Sequence, residues 1–209
     1  MALENKLGIT DQVELARVEE RLSKTRALEL FETGALNRMR PGTVESLKSI
    51  HAHLFGDIYP FAGEIRNVNI AKGSFRFAPV MYLAQALEHV ESMPQSTFDE
   101  IIEKYVEMNV AHPFREGNGR SMRIWLDVIL KSELGCVVDW GSVDKEDYLL
   151  AMERSPVKDI EIKHLLKHAL TNEVDSRDVY MKGIDASYHY EGYAVYKMRD
   201  LQAGADDER

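Results

Sequence analysis

The sequence predicts a mainly helical protein that carries one small β-hairpin. Apolar residues recur at helical spacing through most of the chain, while the short β-branched or aromatic runs that mark strands cluster around Lys72-Gly73. Across the 209 residues there is no repeat, low-complexity stretch or Pro/Gly/Ser-rich linker, so a single domain spanning 1–209 is expected.

Each element has its own signal. Asp11, with Glu14 three residues on, is placed to cap a first helix whose charged amphipathic pattern runs to about Phe31. Gly34 and the Pro41-Gly42 pair break the chain there. Thr43 opens a second helix, in which Val44, Leu47, Ile50, Leu54 and Phe55 form an apolar stripe that stops before Pro60. Residues 65–70 and 74–78 read as the two arms of the hairpin. Helical patterns return at about 80–91 and from Thr97, where Thr97-Phe98-Asp99-Glu100 has the form of a capping box. That helix carries Ile101, Ile102, Tyr105 and Met108, and Pro113 ends it just after His112. The next bears Met122, Trp125, Leu126 and Ile129 on one face. Two more helices are expected over about 143–154 and 159–171, parted by Ser155-Pro156, and a last short one near 184–196.

Composition narrows the function. A net charge of −9 argues against broad nucleic-acid or anionic-membrane binding, both of which need a basic face. It leaves room for a local basic pocket built from Arg115, Arg120 and Arg123. The single cysteine, Cys136, forms no internal disulfide or cysteine zinc cluster and reads as a packing thiol. No apolar stretch reaches the roughly 20 residues of a membrane span, and the first residues lack the regions of a signal peptide, so a cytoplasmic location is expected.

The densest chemistry lies in His112-Pro113-Phe114-Arg115-Glu116-Gly117-Asn118-Gly119-Arg120, followed by Arg123. A helix that begins here offers unpaired N–H groups and partial positive charge. Gly117 and Gly119 remove side chains that would keep a phosphate from those donors. Arg120 and Arg123 add forked hydrogen bonding to phosphate oxygens. Glu116 would repel phosphate directly and is suited to hold Mg2+ bridging it to phosphate. His112 is suited to deprotonate an attacking hydroxyl near neutral pH. Singly, these are a packed histidine, a turn and a solvated i, i+4 pair worth on the order of a few tenths of a kcal/mol. Contiguous, they read as a site for phosphoryl or nucleotidyl transfer. A Walker-type loop is excluded because no Gly-Lys-Ser/Thr follows, and a zinc site on His112 and Glu116 lacks a second histidine at ligand spacing.

The block His112 to Arg123 resembles the Fic motif, HxFx(D/E)GNGRxxR, at every specified position, and the segment from His51 to Arg66 is similar to the family's approach to its flap hairpin. The resemblance implies a Fic-type helical bundle that transfers AMP from ATP to a Tyr, Thr or Ser hydroxyl of a target protein. It implies His112 as base and Glu116 as the Mg2+ ligand, with Ca2+ or Mn2+ as alternatives. It further implies Gly117, Asn118 and Gly119 as an anion hole, Arg120 and Arg123 on the outer phosphates, and Phe114 facing the core. The flap, 65–78, would pin the target backbone as an added strand, with Lys72, Gly73, Ser74 and Phe75 at its tip close to the nucleotide. Family members that phosphorylate carry lysine where Gly119 stands, so AMP transfer is favoured here; UMP and phosphocholine transfer stay open.

Ser187-Tyr188-His189-Tyr190-Glu191-Gly192 is similar to the family's inhibitory motif, (S/T)xxxE(G/N), in the class whose inhibitory helix follows the core. Ser187 and Glu191, at i, i+4, share a helix face, and Glu191 would pair with Arg123 and deny it to the γ-phosphate. In some relatives the same glutamate activates water to remove AMP, so a de-AMPylating or bifunctional enzyme is the alternative. Tyr188 and Tyr190 are candidate self-modification sites, or packing aromatics. An idle peptide-binding module and a free-standing toxin are the other readings; intact His112, Glu116 and Arg120 argue against the first, and Glu191 against the second. Self-association is a candidate means of holding the inhibitory helix.

Overall fold

The computed structural model describes residues 2–72, 75–192 and 196–198. Helix α1, Gln12–Glu32, starts where Asp11 Oδ1 accepts the Glu14 N–H at 2.8 Å. Its inner face is not the apolar stripe that an amphipathic pattern suggests: Glu19, Glu20 and Lys24 are all buried. Thr43 caps α2, Val44–Phe55, by accepting the Ser46 N–H at 3.2 Å, and the stripe of Leu47, Ile50, Leu54 and Phe55 is buried. After α3, Val80–Ser92, helix α4, Phe98–Ala111, opens on a complete capping box between Thr97 and Glu100. Helix α5, Asn118–Leu134, packs against α2, α4 and the last helix. Phe114, Trp125, Leu126 and Ile129 lie in the same core as Tyr105 and Ile50. Helices α6, Lys145–Arg154, and α7, Ile160–His168, follow.

Three expected boundaries move. The hairpin is shorter than its two runs: β1, Ala71–Lys72, pairs antiparallel with β2, Phe75–Arg76, and 65–70 is irregular. Within that stretch the buried Arg66 guanidinium donates to the carbonyls of Val68, Ala78 and His112, which tie it to the second arm and to the end of α4 instead of to a ladder partner. The helix expected to reach 171 stops at His168, and Leu170–Thr171 form β4, paired antiparallel with β3, Val137–Val138. Two-residue strands are too short to show alternation, so this second sheet has no signature in the sequence. The last helix, α8, spans Arg177–Tyr190. Ser176 Oγ caps its start, and Gly192 with φ +90°, a left-handed conformation, ends it. Glu191 is therefore the C-terminal cap residue, and 193–195 lie outside the described residues. Among the described residues no helix is long and apolar enough to cross a membrane.

Candidate active site

Helix α4 ends in a left-handed His112 (φ 48°), and α5 starts after Gly117 (φ 75°); the four residues between these two turn the chain into the mouth of a cavity of about 770 Å3. A Cβ at Gly117 would lie 2.4 Å from the Phe55 ring, so glycine is required there both by φ and by space. The Asn118 side chain closes the turn on itself, donating to Phe114 O at 2.7 Å and accepting from Phe114 N at 2.8 Å. The Asn118 carboxamide thus holds the loop. His112, Glu116, Gly117, Asn118, Gly119 and Arg123 all line the cavity.

His112 Nδ1 lies 3.2 Å from Asn109 O, and a carbonyl only accepts, so Nδ1 carries the proton and Nε2 the basic lone pair. The ring stacks on Phe77 beside the flap at a centroid distance of 3.6 Å. Arg66 steadies this end of α4: its guanidinium donates to His112 O at 2.7 Å, and its backbone N–H donates to Pro113 O at 2.8 Å. Burial lowers the Arg66 pKa.

Glu116 Oε1 accepts from its neighbour's Gly117 N–H and from Arg120 Nη2, both at 3.0 Å. Its side chain is 39% exposed, so the carboxylate faces the cavity with a cation behind it. Among the described residues no cluster of three or more His, Cys, Asp or Glu forms a metal cage. One carboxylate completed by phosphate and water oxygens suits Mg2+, which keeps much of its hydration. The Arg120 side chain is 1% exposed and turned inward, bonded to Glu19 and Glu116 and lying over the Phe55 and Tyr188 rings. Its bond to Glu116 orients that carboxylate.

Arg123 faces α8. Its Nε donates to Ser187 Oγ at 2.6 Å, and its Nη2 donates to Ser187 O at 2.9 Å and to Glu191 Oε1 at 3.0 Å. The Glu191 carboxylate lies over the start of α5, where a Cβ on Gly119 would come within 2.3 Å of Oε1. Tyr188 and Tyr190 are both buried, and burial pushes the Tyr188 hydroxyl up to about 12 and Tyr190 up as well. The Tyr190 hydroxyl donates toward Trp140 O and Val143 O, at 3.0 and 2.8 Å. In this arrangement both are packing aromatics, and neither hydroxyl is presented for self-modification.

At the flap, Ala71 and Phe77 line the cavity, and Lys72 pairs with Phe75 across the hairpin. Gly73 and Ser74 lie outside the described residues.

Three buried residues shape the site from outside the block His112 to Arg123. Glu19 joins Arg120 to Tyr59 across α1. His51 Nδ1 accepts the Gly63 N–H at 2.8 Å, which leaves Nε2–H to donate to Glu116 O at 2.9 Å; the ring stacks on Phe114 at 3.8 Å. Burial pushes His51 down to about 4, so it is neutral at pH 7. Arg66 is the third. Their common mark is a polar side chain buried where elements distant in the chain meet, visible only once the fold is known.

A model of the Fic/DOC family matches residues 41–130. The chain is 35% identical over 156 residues to protein adenylyltransferase VbhT of Bartonella schoenbuchensis, covering 68% of this chain but only 31% of VbhT. It is 30% identical over 169 residues to the probable protein adenylyltransferase Fic of Salmonella typhimurium, covering 76% of this chain and 82% of that protein. The fold resembles the crystal structure of BepC of Bartonella tribocorum with bound AMPPNP, with a TM-score of 0.66 at 19% identity over 82% of this chain and 93% of the other.

Proposed function

The chain belongs to the Fic/DOC family, and from that premise we propose that it is a protein adenylyltransferase that moves AMP from ATP to a target hydroxyl and is held off by its own Glu191. One observation carries the reading: a base, a carboxylate, an amide-rich helix start and an arginine line a single cavity of about 770 Å3. The names of the curated relatives and the AMPPNP of the BepC structure support the same chemistry.

The residues divide the work. His112 Nε2 takes the proton of the target hydroxyl as its oxygen attacks the α-phosphorus, and pyrophosphate leaves. The first-turn amides of α5 at 118–120 and the helix dipole stabilise the negative charge that develops on the phosphoryl oxygens. Glu116, backed by Arg120, would hold a divalent cation, Mg2+ or in its place Ca2+ or Mn2+, which neutralises phosphate charge when bound. Gly119 leaves the approach to α5 open, as AMP transfer requires. The flap offers a short strand edge at 71–72 and 75–76 on which a target backbone can pair.

In the resting state Glu191 occupies the space over Gly119 and engages Arg123, so an incoming γ-phosphate meets a carboxylate and a cation already committed. This is autoinhibition by competition for Arg123. Glu191 also lines the cavity with His112 and Glu116, which supports the second reading, removal of AMP by water that Glu191 activates.

Labelling a cell lysate with ATP labelled at its α- or its γ-phosphate tests the proposal. The α-label should enter protein, the γ-label should not, and His112→Ala should lose incorporation. Incorporation of the γ-label alone, or undiminished α-labelling by His112→Ala, would refute AMP transfer. Equal clearance of AMP from a modified target by wild type and Glu191→Gly would remove the second reading.

A further inference from the structure

A second cavity, about 510 Å3, lies on the far side of Arg123, between the facing sides of α5 and α8. Its α8 wall consists of the cap residue Ser176 and of Val179, Tyr180, Gly183, Ile184 and Ser187, a stripe at i, i+3, i+4 spacing along most of the helix. The inhibitory helix is thus bonded to α5 at its C-terminal end, through Ser187 and Arg123, and stands over a hollow along the rest of its inner face. Gly183 adds to that hollow. A Cβ there would make only ordinary contact with Trp140, at 3.4 Å, so packing does not demand a glycine.

The lining has a definite chemistry. Apolar walls from Ile124, Val128 and Val138 meet the rings of Phe31, Tyr180 and Trp140, the first two stacked at 4.8 Å. The carboxylate of Asp127 also lines the cavity. Its oxygens accept the Val138 N–H and the Trp140 Nε1–H, each at 2.9 Å, which anchors the group by N–H donors instead of a cation. Burial pushes the Asp127 carboxyl up to about 7 against the pull of its two N–H donors, so the group is an anion above neutral pH. Two more carboxylates, Glu173 and Asp175, are exposed at the rim, and the lysine beside them, Lys131, is bonded to Asp175 at 2.6 Å. Arg123, which also lines the cavity, is already engaged by Ser187 and Glu191. The charge that the cavity offers to a ligand is therefore negative.

We propose that this cavity is a second ligand site that takes a small organic ammonium: aromatic faces and a carboxylate attract the cation, and the aliphatic walls cover its alkyl groups. A neutral molecule of the same shape would gain only the burial. An occupant ties α8 to α5 along its length and so reinforces the Ser187–Arg123 contact. That consequence alone rests on the transferase reading; the site itself does not.

Choline and dimethylbutanol, its neutral carbon isostere, test the site at matched ionic strength. The readouts are calorimetry and the indole N–H resonance of Trp140, which reports directly on Asp127. Choline should shift that resonance saturably, and the isostere should bind at least tenfold more weakly. Val128→Phe, which fills the cavity from α5, should abolish binding, and Tyr180→Leu, which keeps apolar bulk but removes a ring face, should weaken choline more than the isostere. Absence of saturable choline binding, or equal affinity for the isostere, overturns the proposal. Bound choline should also slow AMP transfer by wild type but not by Glu191→Gly; binding without slowing would overturn the coupling to the brake and leave the site standing.

Discussion

Replacing Glu191 by glycine should release the enzyme by a predictable amount. The Arg123–Glu191 contact is 3.0 Å long, between an arginine side chain 3% exposed and a carboxylate 21% exposed. A hydrogen bond to a charged group contributes about 1.5–3 kcal/mol, and each ~1.4 kcal/mol is a tenfold change in an equilibrium. Removing it shifts the competition for Arg123 toward the γ-phosphate by roughly 10- to 150-fold. Helix α8 stays in place meanwhile, because Lys24 holds Asp185 at 2.9 Å and the Tyr190 hydroxyl holds the 140–143 turn. Arg123 also keeps both bonds to Ser187, so it is not left stranded in the interior. The assay is initial-rate incorporation of label from ATP labelled at the α-phosphate, at subsaturating ATP, into the protein itself and into a lysate. Glu191→Gly should exceed wild type by at least tenfold, and Glu191→Gln, neutral but still able to accept, should fall between them. Equal rates for wild type and Glu191→Gly, with unchanged melting curves, would refute the competition argument.

Other outcomes follow from the same geometry. His51, at about 4 against 6.5 when unfolded, binds fewer protons in the folded state. Its contribution is therefore fully present above pH 6.5 and is lost as pH falls toward 4, about 3 kcal/mol in all. Urea denaturation across that window should show a larger loss for wild type than for His51→Gln, and equal slopes would contradict it. Gly117→Ala forces a left-handed backbone and a Cβ 2.4 Å from Phe55, so it should destabilise by more than the ~1–2 kcal/mol of the backbone term alone; a smaller loss in denaturant would show that the loop relaxes freely. Glu19→Ala leaves the buried Arg120 without one of its two carboxylates, a loss of about 3–5 kcal/mol when a buried pair is broken. Its stability should fall far more than that of Glu14→Ala at the exposed end of α1, and parity of the two would exclude a structural role for Glu19.

The sequence makes some of these residues legible and hides others for a physical reason. Caps and turns are written locally: Asp11, Thr43 and Thr97 each bond to a backbone N–H three residues on, and all three are found where the pattern puts them. The Fic motif is equally local, since His112 to Arg123 lie on one turn and one helix start. Glu19 and His51 reach the site from α1 and α2, and in the sequence they are an ordinary charged residue and an ordinary helix histidine. The second sheet is hidden for the same cause: Val137–Val138 and Leu170–Thr171 find each other only through the fold.

By itself the sequence determined most of the helices, the caps at Asp11, Thr43 and Thr97, and the turn that carries His112 and Glu116, because these depend on neighbours within about four residues. It also supplied Ser187 and Glu191 as candidates for a brake. The tertiary structure decided which way each arginine faces. Arg120 turns inward because Glu19 waits on α1, and Arg123 turns to α8 because Ser187 and Glu191 are carried there. It also decided that α8 stands over a hollow with Asp127 on its wall. Both outcomes come from helices far apart in the chain meeting face to face, and no local pattern encodes such a meeting.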